Sequence, residues 1–181
     1  MNLIVTAKVG AGKTTWCRNY GRWLVARGLT AGGVLCPEVR KNGTRIGYDV
    51  VDILTGRGVM FARLASEAQI AGELVGNYLI SHAGLEFAES AIKQAIAEGC
   101  DVVFIDEVGH LELAGKGNAE PLKMAYQKAK HTTVVVRRSL LTSFLEYLHL
   151  TVPQVRPSVK DLELDTSYPQ PEAASREWIC R

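Results

Sequence analysis

"NLIVTAKVGAGKTTWCRNYGRWLVARG", residues 2–28, passes from an apolar run through a glycine-rich loop into an amphipathic segment. The apolar run reads as a strand. Trp16, Tyr20, Trp23, Leu24 and Arg27 then recur at helical steps of three and four before Gly28 supplies a helix stop. Between the two, Gly12-Lys13-Thr14 completes the pattern G-x-x-x-x-G-K-[ST], while Ala7 stands where that pattern has its first glycine. A strand, a glycine loop and a helix in this order form a phosphate cradle. Successive backbone N–H groups converge on an anion at the helix N-terminus, where the dipole already favours negative charge. The methyl of Ala7 removes no donor. Its cost is conformational, about 1 kcal/mol if that position requires a positive φ.

The candidate nucleotide-binding residues are therefore Ala7, Lys8, Val9, Gly10, Ala11, Gly12, Lys13, Thr14 and Thr15. Lys13 offers an ammonium to the β and γ phosphates, Thr14 a hydroxyl to a Mg²⁺ shell, and Thr15 a contact near the α phosphate. A second constellation, "DVVFIDEVG" from Asp101 to Gly109, is a buried-type strand that delivers Asp106 and Glu107 to its carboxyl end. Ligands of open α/β sheets collect there. Asp106 is the candidate metal residue beside Thr14, and Glu107 the candidate catalytic base for an attacking water, acting with Lys13. Arg137 and Arg138 follow the strand "TTVVV". Either is a candidate phosphate contact, and a solvated surface pair is an equally open reading.

The rest of the chain alternates strand and helix signals, which predicts an α/β fold with a mostly parallel sheet. Asn42-Gly43 is a two-residue hairpin signal, and Thr55 to Gly58 offers a second turn, so residues of about 32–64 read as a three-stranded antiparallel meander. Helices are expected over residues 83–99, after an N-cap at Asn118, and from Ser139. The proline-bearing tail, about 153–181, reads as irregular up to a short helix near 172–179. One domain over residues 1–181 accommodates all of this.

Composition narrows the function. A formal charge of +2, with no basic run, gives no reason to expect nucleic acid as a partner. No leader-like segment or long apolar span suggests a membrane. Cys17, Cys36, Cys100 and Cys180 are far apart and lack metal or redox spacing, as do the four histidines, so a reducing cytoplasm is the expected setting.

Three stretches, "GAGKTTWCRNYGRWLVARG", "GGVLCPEVRKNGTRIGYDVVDILTG" and "VVFIDEVGHLEL", resemble the small P-loop nucleoside triphosphatases first characterised from thermophiles. The resemblance implies a RecA-like α/β fold with a β meander beside the nucleotide crevice. It also implies Mg²⁺-dependent hydrolysis of several nucleoside triphosphates, and a structural likeness to small nucleotide kinases. By position it makes Gly10 to Thr15 phosphate ligands, gives Asp106 and Glu107 to the metal and the water, and lines the crevice with Glu38 and Arg40. Ala7, His110 and the tail beyond Val152 depart from the family pattern. Two other functions compatible with these motifs are a small-molecule or nucleotide kinase and a nucleotide-dependent switch with a protein client. No N-K-x-D stretch supports a dedicated guanine switch.

Overall fold

The computed structural model describes residues 2–68, 70–151 and 158–163, apart from the side chains of residues 107, 150 and 151. In chain order the first half comprises β1 (Asn2–Ala7), α1 (Lys13–Val25), β2 (Ala31–Leu35), β3 (Glu38–Lys41), β4 (Thr44–Asp52), β5 (Gly58–Leu64), β6 (Gly72–Val75) and β7 (Tyr78–Ser81). The second half comprises α2 (His82–Ala97), β8 (Val102–Val108), α3 (His110–Leu113), α4 (Ala119–Lys128), β9 (Thr132–Arg137), α5 (Leu141–Thr151) and β10 (Ser158–Asp161). A single 3₁₀ turn, Arg138–Leu140, leads into α5.

All of these strands join one sheet in the order β10-β1-β9-β8-β2-β4-β5-β7-β6, with β3 paired to β4. From β10 to β2 the pairing is parallel. From β2 onward it is antiparallel. The parallel strands are apolar on both faces, as strands covered on both sides must be. Val5, Phe104 and Val135 meet Cys17 and Leu24 of α1 on one face. Their neighbours Ile4, Val103, Ile105 and Val134 meet α2, α4 and α5 through Ile92, Leu122, Ala125 and Phe144 on the other. This is the period-2 alternation of a strand, read from a chain with no polar face.

The meander is present and longer than its sequence signal. Asn42 and Gly43 take φ of 51° and 77°, the doubly left-handed turn that the hairpin between β3 and β4 demands. Beyond β5, "AGELVGNYLIS" forms the additional hairpin β6–β7, which pairs on β5. The tail also differs from expectation. Ser158–Asp161 is an edge strand parallel to β1, formed where the chain lies along the side of β1 that does not pair with β9; the helix expected near 172–179 lies outside the described residues. Asn118 occupies the N-cap position of α4, but its side chain makes no capping hydrogen bond. No described helix is long and apolar enough to cross a membrane.

The far ends of the central strands are tied by one carboxylate. Asp101 accepts hydrogen bonds from the Thr30 backbone N–H and hydroxyl at 2.8 Å each, and from Lys130 Nζ at 2.9 Å. The Thr30 N–H, then Lys130 and the Thr30 hydroxyl, hold the Asp101 carboxyl well below the usual carboxylate range. A carboxyl depressed in the folded state contributes stability above its unfolded pKa, about 4, and loses it as pH falls toward the folded value. Asp101→Ala is therefore expected to lower the unfolding midpoint in urea at pH 7, with the gap from wild type narrowing as titrations move below about pH 4.

Candidate functional site

β1 ends at Ala7, which is fully buried and sits opposite Arg137 of β9. Its φ is not positive, so alanine carries no conformational penalty there. The curl comes later. Gly10 and Gly12 take φ of 81° and 82°, and Gly12 is the N-cap of α1. Lys13 begins the helix with only 6% exposure and folds its side chain back along the loop, donating from Nζ to the carbonyls of Lys8 at 3.0 Å and Ala7 at 3.4 Å. The loop is thus closed around the ammonium of its own lysine.

Two strands away, β8 carries the acidic pair at a β-bulge. Ile105 pairs with Val134 and Val108 with Val136, so one strand has an extra residue at Asp106-Glu107. Bulges re-aim side chains and are common beside functional sites. Asp106 is 3% exposed, and its Oδ2 accepts the Cys36 N–H at 3.0 Å. Burial, then the charge of Asp106, pushes the Cys17 thiol well up against the opposing pull of Lys13. Cys17 is accordingly a neutral packing residue wedged among these charges. The backbone of Glu107 lies within β8, and its side chain lies outside the described set.

A cavity of about 290 Å³ opens on the loop. Val9, Gly10, Gly12, Lys13, Thr14 and Thr15 form one side of it. Arg18, Pro37, Glu38 and Tyr48 form the other. Asp106 is not part of this lining and reaches the site through Cys36, the residue before Pro37.

A sequence profile of the NTPase family matches residues 2–164. The chain belongs to the NTPase family. Among curated relatives, the nucleoside-triphosphatase THEP1 of Methanopyrus kandleri is 33% identical over 145 residues, covering 74% of this chain and 78% of that protein. The nucleoside-triphosphatase THEP1 of Methanothermobacter thermautotrophicus is 30% identical over 162 residues, covering 89% and 90%. The crystal structure of THEP1 from Aquifex aeolicus matches with a TM-score of 0.68 at 20% identity, covering 90% of each chain. The solution structure of a human cancer-related nucleoside triphosphatase matches at 0.65 and 24% identity, covering 88% of this chain and 87% of that one. The two solved structures share the fold of this NTPase.

Within this NTPase the remaining candidates separate. Glu38 reaches the cavity, and both its oxygens are engaged. Oε2 accepts Arg40 Nε at 3.1 Å and NH2 at 2.7 Å, while Oε1 accepts Arg45 NH1 at 3.1 Å. Burial alone would raise the Glu38 carboxyl, but the two guanidiniums outweigh it and hold it below its ordinary value. Arg40 also donates to the Gly43 carbonyl at 2.8 Å, which ties it to the hairpin turn rather than to the cavity wall. Arg138 is claimed by Asp161 and Glu163. Glu163 in turn accepts the Lys8 N–H at 3.2 Å, so the segment after β10 braces the loop from outside. Arg137 lines a second cavity that shares Val9 and Tyr48 with the first.

The sequence offered no signal for Arg18 or Tyr48. Both lie in otherwise ordinary helix and strand patterns, and only the folded sheet brings them to the loop. Glu112 was missed for another reason. It is 4% exposed, and its two oxygens accept the N–H groups of Gly109 at 2.8 Å and Asn118 at 3.1 Å, fastening the turn after the acidic pair to the start of α4. Glu112→Ala leaves both donors without this partner. At about 1–3 kcal/mol per unsatisfied buried group, the expected loss for the two donors is about 2–6 kcal/mol in equilibrium urea unfolding.

Proposed function

We propose that this chain hydrolyses nucleoside triphosphates, with residues 7–15 holding the phosphates and Glu107 directing water at the γ phosphorus. The carrying observation is the pair of left-handed glycines that opens α1 directly onto a cavity with Lys13 buried at its edge. The Lys13 ammonium rests on two carbonyls. A triphosphate replaces them with oxygens of full negative charge, to which a charge-assisted bond is about twice as strong. The backbone N–H groups at the start of α1 add fixed positive ends that need no reorganisation during the reaction.

The donor set suits Mg²⁺. Thr14 supplies a hydroxyl at the cavity wall and Asp106 a carboxylate behind it, both hard oxygen ligands. Among the described residues no three of His, Cys, Asp and Glu gather as a self-sufficient metal site. The ion would take its remaining ligands from phosphate and water, as Mg²⁺ usually does at phosphate sites. When bound, it neutralises charge on the phosphoryl oxygens. Glu107, in the backbone bulge near the end of β8, is assigned to accept the proton of the attacking water. Of the two arginines, Arg137 is assigned to the reacting phosphate, because it lines a cavity that shares Val9 of the loop with the first cavity. We read the described residues as parts of a single domain, since one sheet runs through them.

Phosphate release from ATP, GTP, CTP and UTP, with and without Mg²⁺, tests the activity directly. Lys13→Ala is expected to weaken binding of a fluorescent triphosphate analogue and to reduce turnover. Glu107→Gln should leave that binding nearly intact while lowering kcat by about 10²-fold or more. Full turnover in Glu107→Gln would falsify the general-base role. Arg137→Ala should lower kcat by about 10-fold or more, whereas Arg138→Ala should chiefly lower thermal stability, read by comparing kinetics with melting curves.

A further inference from the structure

The peptide that enters the glycine loop is held from both sides. Its carbonyl, on Ala7, accepts Lys13 Nζ at 3.4 Å, and its N–H, on Lys8, donates to Glu163 Oε1 at 3.2 Å. A trans peptide points these two groups in opposite directions. An acceptor fixed outside the loop therefore aims the Ala7 carbonyl at the ammonium inside it. The next carbonyl, on Lys8, accepts Lys13 Nζ at 3.0 Å and the Ala11 N–H at 3.4 Å, so the loop turns about this same residue.

Glu163 is itself held. The chain reaches it from β10, where Asp161 stands opposite Thr6 of β1, and the Leu162 N–H then donates to the Thr6 carbonyl at 3.1 Å. The Glu163 N–H donates to Asp161 Oδ1 at 3.0 Å. Arg138, at the start of the 3₁₀ turn after β9, pairs with Asp161 and, through NH1, with Glu163 Oε2. One oxygen of Glu163 thus serves the guanidinium and the other the loop. The guanidinium also offsets a carboxylate charge that would otherwise oppose an anion at the loop. The strand ladder and the Arg138–Asp161 pair already fasten β10 to the sheet. The contact to Lys8 lies past the end of β1 and acts on the loop.

We propose that Glu163 is a positioning residue for triphosphate binding, acting through the Ala7–Lys8 peptide on the Lys13 ammonium, a proposal that rests on the reading of residues 7–15 as the phosphate site. With the N–H held, the carbonyl stays on Lys13 and the ammonium keeps one place at the cavity edge. A carboxylate on the N–H also polarises the carbonyl of the same peptide and strengthens its hold on the cation. Without Glu163 the peptide is free to rotate, and each incoming ligand has to order Lys13 again, which lowers affinity.

The test is a double-mutant cycle on the full chain, read by the dissociation constant of a fluorescent, non-hydrolysable ATP analogue with Mg²⁺. Glu163→Ala is expected to weaken binding by about 5-fold in the wild-type background and by less than about 2-fold in Lys13→Ala, where the group that transmits its effect is gone. A role confined to stability gives the same loss in both backgrounds. Glu163→Gln leaves one acceptor for two donors and should fall between wild type and Glu163→Ala. It carries the cycle in place of Glu163→Ala if melting curves show the alanine variant unfolded at the assay temperature. In amide NMR spectra the Lys8 proton should move upfield in either variant, as a hydrogen bond to a carboxylate is lost or weakened.

Three results overturn the proposal: affinity unchanged by removal of the Glu163 carboxylate, an equal loss in the wild-type and Lys13→Ala backgrounds, or a Lys8 amide signal that does not move. Failure of the analogue to bind wild-type protein, or equal binding to wild type and Lys13→Ala, instead overturns the reading of residues 7–15, and this proposal falls with it.

Discussion

A buried ammonium has to be satisfied, and at the start of α1 nearly everything follows from how Lys13 is. Left in an apolar setting it would cost several kcal/mol, so its three donors demand oxygen partners within reach. The loop that leads into its own helix provides them, through the carbonyls of Ala7 and Lys8. Those carbonyls face inward only if the chain reverses within a few residues, which is why Gly10 and Gly12 are left-handed. The reversal in turn requires β1 to end at a fixed place, and its register with β9 sets that place opposite Arg137. Two carbonyl oxygens on a cation, at the positive end of a helix, make the setting that the proposed phosphate site uses.

The acidic pair is positioned by a different device. In a regular strand Asp106 and Glu107 would face opposite sides of the sheet, one toward α1 and one toward α2 and its neighbours. The extra residue at the bulge interrupts the regular pairing there, and the Cys36 N–H then holds the Asp106 carboxylate. The same hydrogen bond fixes the end of β2 just before Pro37. The strand that closes the parallel half and the residue expected to serve the metal are therefore ordered together.

How much of this is visible in the chain depends on whether the cause is local. The glycine loop, the buried strands and the Asn42-Gly43 turn are local, because backbone geometry and short-range periodicity decide them. The fold class and the glycine loop before α1 were legible for that reason. The hairpin β6–β7 was not, since two four-residue strands with Gly76 between them carry too short an alternation to stand out. β10 is shorter still as a signal. Its pairing partner, β1, lies more than 150 residues away, and only that partner makes it a strand. The arginines show the same limit. Nothing local distinguishes Arg137 from Arg138, whereas the fold places Arg137 on a cavity wall and brings the two carboxylates Asp161 and Glu163 to Arg138.

The two halves of the sheet contribute different chemistry, and Glu38 is where they are joined. It stands at the first residue of β3, reaches the cavity at the glycine loop, and holds Arg40 of the hairpin and Arg45 of β4 at once. Arg45 continues to Tyr78 of the outermost hairpin. An anion arriving at the loop meets a carboxylate that is already neutralised by two guanidiniums, so the repulsion Glu38 would otherwise exert is largely cancelled before the ligand binds. The same pairing holds Arg45 beside the rings of Tyr48 and Tyr78. An ion pair half-exposed to solvent adds little to stability. Its placement between the cavities argues that it serves to keep the charge of one site from being drawn into the other.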